Sequence, residues 1–329
     1  MRIGMFCSGG DAPGMNACMR AVVRTALVRG HSVVGIRRGY EGLLEEDFYV
    51  GPDGAPEMTL RSVSGWTQFG GTFLLTSRSE RFRTEEGLRS AADILRRHRI
   101  DALIPIGGDG TFRGALALAE YWDGRIVGCP GTIDNDLVGT DATIGFYTAV
   151  QTAVEAVDKI RDTAASHSRM FLIEVMGRSS GFLAVHTAIA AGAEVVCIPE
   201  APYSIEELVE HLKELKQRGK TSVMAVVAEG YPLGGATALQ QRLAQAGCPF
   251  GTRVVVLGHL QRGGSPTPED RILATQLGCW AVEGLDEGQH LVMAGMRGGQ
   301  KVYTPMVEAV SGHNPIPPRL IELIRVMAH

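Results

Sequence analysis

Short runs of β-branched and apolar residues alternate with longer amphipathic stretches over almost the whole chain. Strand–helix alternation of this kind is typical of parallel sheets wound by right-handed crossover helices. We predict strands at 2–7, 32–37, 101–106, 125–129, 169–175, 194–198, 222–228 and 252–257. We predict helices near 15–29, 84–98, 112–121, 147–162, 180–191, 204–217, 236–246, 268–286 and 320–327. The pattern indicates an α/β chain.

The number of strand–helix units is too large for one small sheet, and 329 residues are enough for two domains. We therefore expect two doubly wound, mainly parallel-sheet (Rossmann-like) domains. No low-complexity segment marks a boundary, which indicates that the chain passes between the domains more than once. Ser204 and Glu207 have the spacing of a capping box and predict a helix start. Ligands of such sheets bind beyond the carboxyl ends of the strands, so functional residues should directly follow strands.

Charge and composition exclude several classes of protein. The formal net charge of −4 argues against a nucleic-acid binder held by bulk electrostatics. No apolar run approaches the ~18–20 residues that span a bilayer, and no signal peptide is recognisable at the N-terminus. The six cysteines are scattered without metal-ligand spacing, as expected of buried free thiols in a reducing cytosol. We expect a cytoplasmic protein with no nucleic-acid or membrane partner.

Two glycine-rich turns follow predicted strands, at 8–16 and 107–111. Glycine lets a backbone approach a phosphate, and the start of the following helix offers free N–H groups. A plain tight turn explains the first segment as well as a phosphate site does. In the second segment Asp109 lies between Gly108 and Gly110. An acid in this position favours a phosphate site in which Asp109 binds Mg²⁺ directly or through water.

A third segment, 130–136, follows the next predicted strand and contains two acids. In an extended segment Asp134 and Asp136 point to the same side. Phosphoryl transfer to an alcohol needs one carboxylate to accept the hydroxyl proton, and further carboxylates to hold magnesium. The Thr132 hydroxyl is close enough in sequence to contact the transferred group. The alternative is an Asx-type turn with solvated acids.

These segments resemble the phosphofructokinase family, and the resemblance extends over nearly the whole chain. The matching strings are SGGDAPGMN (8–16), GGTFLLTSR (70–78), GGDGT (107–111), PGTIDND (130–136), EVMGR (174–178), AEG around Glu229 and LGHLQRGGSP (257–266). GGDGT is also found in NAD kinases and diacylglycerol kinases, so it indicates phosphoryl transfer in general. The other strings indicate which molecule accepts the phosphoryl group. The resemblance implies transfer of the γ-phosphoryl group of MgATP to the 1-hydroxyl of fructose 6-phosphate, a step of glycolysis that yields fructose 1,6-bisphosphate and ADP.

The resemblance also implies an organisation for the chain. A larger ATP-binding domain is expected at 1–145 plus about 262–312, and a smaller fructose 6-phosphate-binding domain at 146–261 plus about 313–329. The active site is expected in the cleft between them. A homotetramer with active sites shared between subunits is implied.

Residue roles are likewise implied by the resemblance. Asp134 is the expected general base and Asp109 the magnesium-binding acid. The expected catalytic residues are Arg78, Thr132, Asp134, Asp136 and Arg178. ATP is expected to contact Gly9, Arg78, Ser79, Gly108, Asp109, Gly110 and Thr111. Fructose 6-phosphate is expected to contact Thr132, Ile133, Asp134, Arg169, Met176, Gly177, Arg178, Glu229, Arg253, His259 and Arg262.

Two of these arginines, Arg169 and Arg253, match residues that family members contribute across a subunit interface. Both precede or begin apolar runs, where an ordinary surface arginine is the alternative. Glu229 ends an apolar run, where a solvent-facing carboxylate is the alternative to a sugar ligand.

The phosphoryl donor is predicted from two glycines. Pyrophosphate users of the family typically carry Asp where this chain has Gly110 and Lys where it has Gly131. Glycine at both positions predicts ATP as the donor. A pyrophosphate-dependent enzyme and a non-catalytic nucleotide-binding regulatory subunit are the alternatives. The presence of both Asp109 and Asp134 argues against the second.

A second anion site is implied for ADP or GDP as activator, or phosphoenolpyruvate as inhibitor. Matching positions are Arg20, Arg24, Arg161, Glu194, Arg218 and Lys220. Arg20 and Arg24 share one helix face, so both can reach one anion. A solvated basic face is the alternative. Leu60 stands where relatives place an effector arginine, so the ligand preference of this site stays open.

Overall fold

A computed structural model describes residues 1–51 and 54–327. The chain divides into two compact units by its internal contacts. Unit 1 comprises Met1–Ile133, Leu137–Thr148 and Arg262–Asn314, and unit 2 comprises Asp134–Asp136, Ala149–Gln261 and Pro315–His329. The last two residues of the segment predicted at 313–329 lie outside the described residues. Which ligand each unit binds stays a prediction.

Strands and helices alternate along most of the described chain. The strands are β1 (Arg2–Ser8), β2 (Ser32–Gly35), β3 (Ala102–Gly107), β4 (Arg125–Pro130), β5 (Arg169–Val175), β6 (Val195–Cys197), β7 (Val223–Ala228), β8 (Gly251–Val256), β9 (Val292–Arg297) and β10 (Gln300–Pro305). The helices are α1 (Met15–Val28), α2 (Gly39–Leu44), α3 (Glu85–Arg97), α4 (Asp109–Leu118), α5 (Phe146–His167), α6 (Phe182–Ala190), α7 (Ile205–Gln217), α8 (Gly235–Gln245), α9 (Pro268–Asp286), α10 (Met306–Ala309) and α11 (Pro318–Met327). Short 3₁₀ helices occupy Arg81–Arg83 and Gly258–Arg262.

Unit 1 is built on a six-stranded sheet in the order β10-β9-β4-β3-β1-β2. The pairs β1–β2, β1–β3, β3–β4 and β4–β9 are parallel, and the β9–β10 pair is antiparallel. A buried apolar cluster that includes Phe6, Phe112 and Ile126 forms one core of the unit. The parallel α/β class predicted from the alternation is therefore confirmed.

The β9–β10 hairpin was not predicted. The two strands are joined by Gly298 and Gly299, both with positive φ (56° and 76°). Two-residue hairpin loops favour positive φ because this twist matches that of the strands. The Gly-Gly pair between two apolar runs was the signal that would have found this hairpin.

Unit 2 is built on a four-stranded sheet in the order β6-β7-β5-β8, in which every pair is parallel. Its core includes Leu172, Leu212, Val227 and Leu239, all fully buried. Helix α7 begins at the predicted capping box. The Ser204 side chain accepts from the Glu207 N–H, and the Glu207 carboxylate accepts from the Ser204 N–H. This prediction is confirmed.

The cysteines are free, as predicted. Cys7, Cys18, Cys129 and Cys197 are buried, and Cys248 and Cys279 are half-buried. Burial raises the pKa of the Cys7 and Cys197 thiols to about 12, which keeps them protonated and unreactive. No helix in the described part of the chain is long and apolar enough to cross a membrane.

A buried carboxylate, Asp270, connects the starts of two helices in unit 1. It lies in the first turn of α9 and is fully buried. Its oxygens accept from the N–H of Gly145 at 2.8 Å and from the N–H and hydroxyl of Thr148 at 2.7 and 2.5 Å. These groups belong to the start of α5, whose first N–H groups have no partner within the helix. Burial raises the pKa of the Asp270 carboxyl to about 6.

We predict that Asp270→Asn lowers the free energy of unfolding by about 1–3 kcal/mol, because the amide presents an NH₂ group to one of the backbone donors. Folding raises the pKa of the Asp270 carboxyl from 3.8 to about 6. The contribution of Asp270 to stability is therefore greatest at pH values below 3.8, the pKa in the unfolded chain. That contribution falls as the pH rises through about 6. The difference between wild type and variant in urea unfolding should therefore be larger near pH 5 than near pH 8, these being values on the two sides of the raised pKa.

Asp101→Asn is the matched control, because the Asp101 carboxylate accepts from the Arg2 N–H at an exposed position. Surface changes of this kind usually alter stability by about 0.5 kcal/mol or less. Equal destabilisation by the two variants would contradict the role given to Asp270.

Candidate functional site

In unit 1, three of the predicted turns begin side by side. Ser8 at the end of β1 pairs with Gly107 at the end of β3, and Gly107 pairs with Pro130 at the end of β4. The strand order reverses at β1, which lies between β2 and β3. This is the position at which open parallel sheets bind ligands. The turns after Ser8, Gly107 and Pro130 therefore start along one edge of the sheet.

The first turn is closed by the segment that carries Arg78. Gly9 has a φ of 87°, a conformation that side-chain-bearing residues rarely adopt. Its carbonyl accepts from the Thr76 hydroxyl at 2.9 Å, and its N–H donates to the Ser77 carbonyl at 3.4 Å. Arg78 follows directly and is exposed. The hydroxyl of the next residue, Ser79, is already engaged by Glu41 within the fold.

The second turn opens helix α4 with an unfilled space. Gly108 is the N-cap residue and offers no side-chain cap, and its carbonyl accepts from the Thr111 N–H at 3.0 Å. A Cβ at Gly110 would meet no atom of residues 1–51 or 54–327 within 4 Å beyond the neighbouring residues and its own helix backbone. The Thr111 hydroxyl donates to the Ser8 carbonyl at 2.9 Å and so connects the second turn to the first. The backbone at Gly110 therefore faces open space, as a phosphate site requires.

Asp109 is partly exposed and paired with an arginine that was not predicted. Arg113 Nε donates to both carboxylate oxygens of Asp109, at 2.9 and 3.1 Å. The same guanidinium donates to the Val310 carbonyl at 2.6 Å. The i, i+4 spacing of Asp109 and Arg113 on α4 was the available signal. This pair orients the Asp109 carboxylate.

The third turn places Thr132 beside the second. A Cβ at Gly108 would lie 3.4 Å from the Thr132 Cβ, and the Thr132 carbonyl accepts from the Thr143 hydroxyl at 2.6 Å. Ile133 is fully buried, so its side chain belongs to the core and only its main chain is suited to a ligand. Arg262 lies near the first turn, where its Nη1 donates to the Asp11 carbonyl at 2.9 Å.

In unit 2, the predicted sugar-phosphate residues follow adjacent strands. Val175 at the end of β5 pairs with Ala228 at the end of β7, and Glu174 pairs with Val256 at the end of β8. Met176, Glu229 and the 3₁₀ helix carrying His259 follow these strands. The short segment Asp134–Asp136 also belongs to unit 2.

The turn after β5 is held by side chains. Glu229 Oε1 accepts from the N–H groups of Gly177 and Arg178 at 3.2 and 2.7 Å. Gln261, fully buried, accepts from the Met176 N–H at 2.8 Å. Gly177 and Arg178 both have positive φ, 133° and 51°. These bonds keep the turn in a conformation that the backbone rarely adopts. Gln261 was not predicted.

Asp134 lies next to Arg178, a residue of this turn. Its carboxylate is 2% exposed, and Arg178 Nε lies 3.5 Å from Asp134 Oδ2. Asp136 is also buried. Burial of both acids disagrees with the alternative of a solvated Asx-type turn. An acidic group beside a half-exposed guanidinium has the charge arrangement of a phosphoryl-transfer site.

Two predicted ligands, Arg169 and Arg253, lie elsewhere in unit 2. Arg169 begins β5, six residues before Val175, so it lies about 20 Å from the carboxyl end of that strand. Arg253 lies on the edge strand β8, where Phe171 is its partner on β5. Within this chain the structure does not bring them to Arg178 and Glu229. This position is compatible with the predicted contribution to another subunit.

The comparisons with known proteins agree with this geometry. The model of the family described as phosphofructokinase matches residues 2–285. The chain belongs to the phosphofructokinase family.

Its relatives match along nearly their full length. A Thermus thermophilus protein named ATP-dependent 6-phosphofructokinase 1 is 51% identical over 99% of both chains. A Bacteroides thetaiotaomicron protein named ATP-dependent 6-phosphofructokinase 2 is 46% identical, over 99% of this chain and 98% of its own.

Solved phosphofructokinases have the same fold. The Saccharomyces cerevisiae structure superposes with a TM-score of 0.83 at 37% identity, and this chain covers 48% of it while 99% of this chain is matched. A pyrophosphate-dependent phosphofructokinase from Marinobacter aquaeolei has a TM-score of 0.82 at 23% identity, with 97% of this chain and 86% of that one covered, and shares the fold.

The residues predicted as an effector site fall into two groups. Arg20 and Arg24 lie one turn apart on α1 in unit 1. In unit 2, Glu194 is buried and lies 3.0 Å from Lys220 Nζ and 3.8 Å from Arg161 Nη1. Arg218, two residues before Lys220, is exposed and 4.0 Å from Glu214. The structure thus joins Arg161 and Lys220 through one carboxylate.

The two donor-marking glycines differ in their surroundings, which predicts different effects of a methyl group. A Cβ at Gly131 would lie 2.8 Å from the Met15 methyl and 3.3 Å from the Gly107 nitrogen. We predict that Gly131→Ala destabilises the protein by about 1–3 kcal/mol, the usual range for overpacking. Gly110→Ala, at an open helical position, should be neutral or stabilise by up to about 1 kcal/mol. Urea unfolding of both variants checks this, and equal effects would refute the difference in packing.

Proposed function

We propose that this chain transfers the γ-phosphoryl group of ATP to the 1-hydroxyl of fructose 6-phosphate, giving fructose 1,6-bisphosphate and ADP. Relatives between 42% and 51% identical over almost the whole chain are named ATP-dependent 6-phosphofructokinase. The observation that carries the proposal is the buried Asp134 carboxylate beside Arg178. The free cysteines of the chain support a cytoplasmic location, where glycolysis takes place.

Asp134 is the proposed general base. The 1-hydroxyl oxygen bonds to the γ-phosphorus while the bond from that phosphorus to the ADP oxygen breaks, and Asp134 accepts the hydroxyl proton. Arg178 and Arg78 stabilise the negative charge on the transferred group. Thr132, beside Gly108, contacts the same group. Asp136 is the second acid of the segment that carries Asp134. ATP is held by Gly9, Ser79, Gly108, Gly110 and Thr111, by their main chains where the side chain is engaged or absent.

Asp109 is suited to a magnesium ion that travels with the nucleotide. No group of three or more His, Cys, Asp or Glu side chains that could hold a metal occurs among residues 1–51 and 54–327. Magnesium is commonly bound by one or two carboxylates together with substrate phosphates and water. The partly exposed carboxylate of Asp109, oriented by Arg113, fits this mode. When bound, magnesium neutralises charge on the phosphates.

The remaining binding residues hold the sugar phosphate. Met176, Gly177, Arg178 and Glu229 lie around one turn in unit 2, and we assign the second oxygen of Glu229 to a sugar hydroxyl, since Oε1 already accepts two N–H groups. His259, Arg262 and the main chain of Ile133 complete the set. Arg169 and Arg253 act on the active site of a neighbouring subunit in a homotetramer. Their distance from the carboxyl end of β5 within one chain supports this assignment.

Regulation at a second site is proposed for Arg20, Arg24, Arg161, Glu194, Arg218 and Lys220. The Lys220–Glu194–Arg161 contacts support an anion site, because they hold two cationic side chains close together. A nucleoside diphosphate or phosphoenolpyruvate fits this charge pattern.

The donor is tested by measuring fructose 1,6-bisphosphate formation with aldolase as the coupling enzyme. We expect turnover with magnesium and ATP, and none with magnesium and pyrophosphate. No product with either donor overturns the proposed function. Product with pyrophosphate alone overturns the choice of donor.

We further predict that Gly110→Asp raises KM for ATP by at least about 10-fold, because a carboxylate would enter the open space beside the nucleotide phosphates. Gly110→Ala is the matched control, since it adds a methyl group to the same open position without charge. A Gly110→Asp enzyme with the KM of the alanine variant would remove Gly110 from donor selection.

Asp134→Asn should lower kcat by at least about 10²-fold, the usual scale for a lost general base. The amide is close in shape to the carboxylate but does not accept the proton. KM for ATP should stay near the wild-type value. A variant that turns over at the wild-type rate would exclude Asp134 as the base.

A further inference from the structure

A buried serine, Ser180, is bonded to the main chain of the proposed base. Its side chain lies just before α6 and is 1% exposed. The hydroxyl donates to the Asp134 carbonyl oxygen at 3.1 Å and accepts from the Phe182 N–H at 3.3 Å. One hydroxyl thus connects the main chain of Asp134 to the first turn of α6.

The segment that carries Ser180 contacts Asp134 twice. Arg178 approaches the carboxylate, with Nε 3.5 Å from Oδ2, and Ser180 binds the carbonyl of the same residue. Side chain and main chain of Asp134 are therefore both held by one short turn. The rate of the catalysed reaction depends strongly on the position of the general base, to within a fraction of an ångström.

The turn is itself fixed by three other side chains. Gln261 accepts from the Met176 N–H, and Glu229 accepts from the N–H groups of Gly177 and Arg178. On the far side of Ser180, Glu200 accepts from the Gly181 N–H at 2.8 Å. The Ser180 hydroxyl therefore projects from a backbone that is bonded on both sides, which makes it a rigid support.

The Asp134 main chain needs such a support. The next residue, Asn135, has a φ of 52° and is 2% exposed. Left-handed conformations are uncommon for residues other than glycine and persist where the surroundings hold them. The bond from Ser180 acts on the carbonyl of the peptide unit that leads into Asn135. Loss of this bond removes one restraint on that peptide and lets the Asp134 carboxylate shift from its position.

We propose that Ser180 is a positioning residue for the phosphoryl-transfer step, acting through Asp134. This inference rests on the proposed function, in which Asp134 accepts the proton of the sugar hydroxyl. Ser180 itself contacts neither substrate in this role. Its removal should therefore lower kcat and leave both KM values nearly unchanged.

The test begins with Ser180→Ala in the coupled assay. We expect kcat to fall by about 10-fold, less than the loss on removing the base, with each KM within about two-fold of wild type. Ser166→Ala is the matched control, because the Ser166 hydroxyl donates to the Asp162 carbonyl at 3.0 Å on the exposed face of α5 in the same unit. That variant should retain the wild-type kcat. An unchanged kcat in Ser180→Ala overturns the proposal.

The decisive comparison repeats the change in the Asp134→Asn background. If Ser180 acts through the base, Ser180→Ala should cause no further loss of the residual rate once the base is absent. A further 10-fold loss in that background, on the order of the loss in wild type, would show a general structural role and overturn the proposal. A rise in KM with kcat unchanged would overturn it as well.

Ser180→Cys keeps the cycle usable should the alanine variant fail to fold. The thiol fills the site and is a weaker hydrogen-bond donor than the hydroxyl. We expect a kcat below wild type in the Asp134 protein and no loss in the Asp134→Asn protein. Equal losses in the two backgrounds again overturn the proposal. A wild-type enzyme without kinase activity would instead refute the proposed function, so the two failures are distinguishable.

Discussion

The in-register parallel pairing of β1 with β3 is the interaction on which unit 1 depends. It runs from Ile3 and Ala102 to Ser8 and Gly107, so both strands end in the same row of the sheet. The pairing of Gly107 with Pro130 extends that row to β4. A shift by one residue would turn every buried side chain of β1 to the other face and separate the three turns. Packing of the core and placement of the glycine-rich backbone therefore have the same origin.

In unit 2 the sheet supplies position, and hydrogen bonds from side chains supply rigidity. The ends of β5 and β7 bring the turn at 176–181 next to Glu229. Acceptors on Gln261, Glu229 and Glu200 then bind the N–H groups of that turn. These bonds are made within the protein itself, so the groups around Asp134 need little reorganisation during the reaction.

Local patterns in the sequence were sufficient for the predicted strands, for the Ser204 capping box and for the turns that follow β1, β3 and β4. These features depend on neighbouring residues or on periodicity. The contacts that hold the site depend on pairs far apart in the chain. Ser180 and Asp134 are 46 residues apart, Gln261 and Met176 are 85 apart, and Asp270 and Gly145 are 125 apart. A single sequence does not show which distant residues pair with one another. The roles of Ser180, Gln261 and Asp270 were therefore not predicted.

The identity of the acceptor oxygen tests the account most directly. Phosphorus-31 NMR of a reaction containing magnesium, ATP and fructose 6-phosphate distinguishes a phosphate at C1 of the sugar from inorganic phosphate. The account predicts a new phosphomonoester resonance coupled to the C1 methylene protons, formed in step with ADP. Release of inorganic phosphate without that resonance, or transfer to another sugar oxygen, would contradict it.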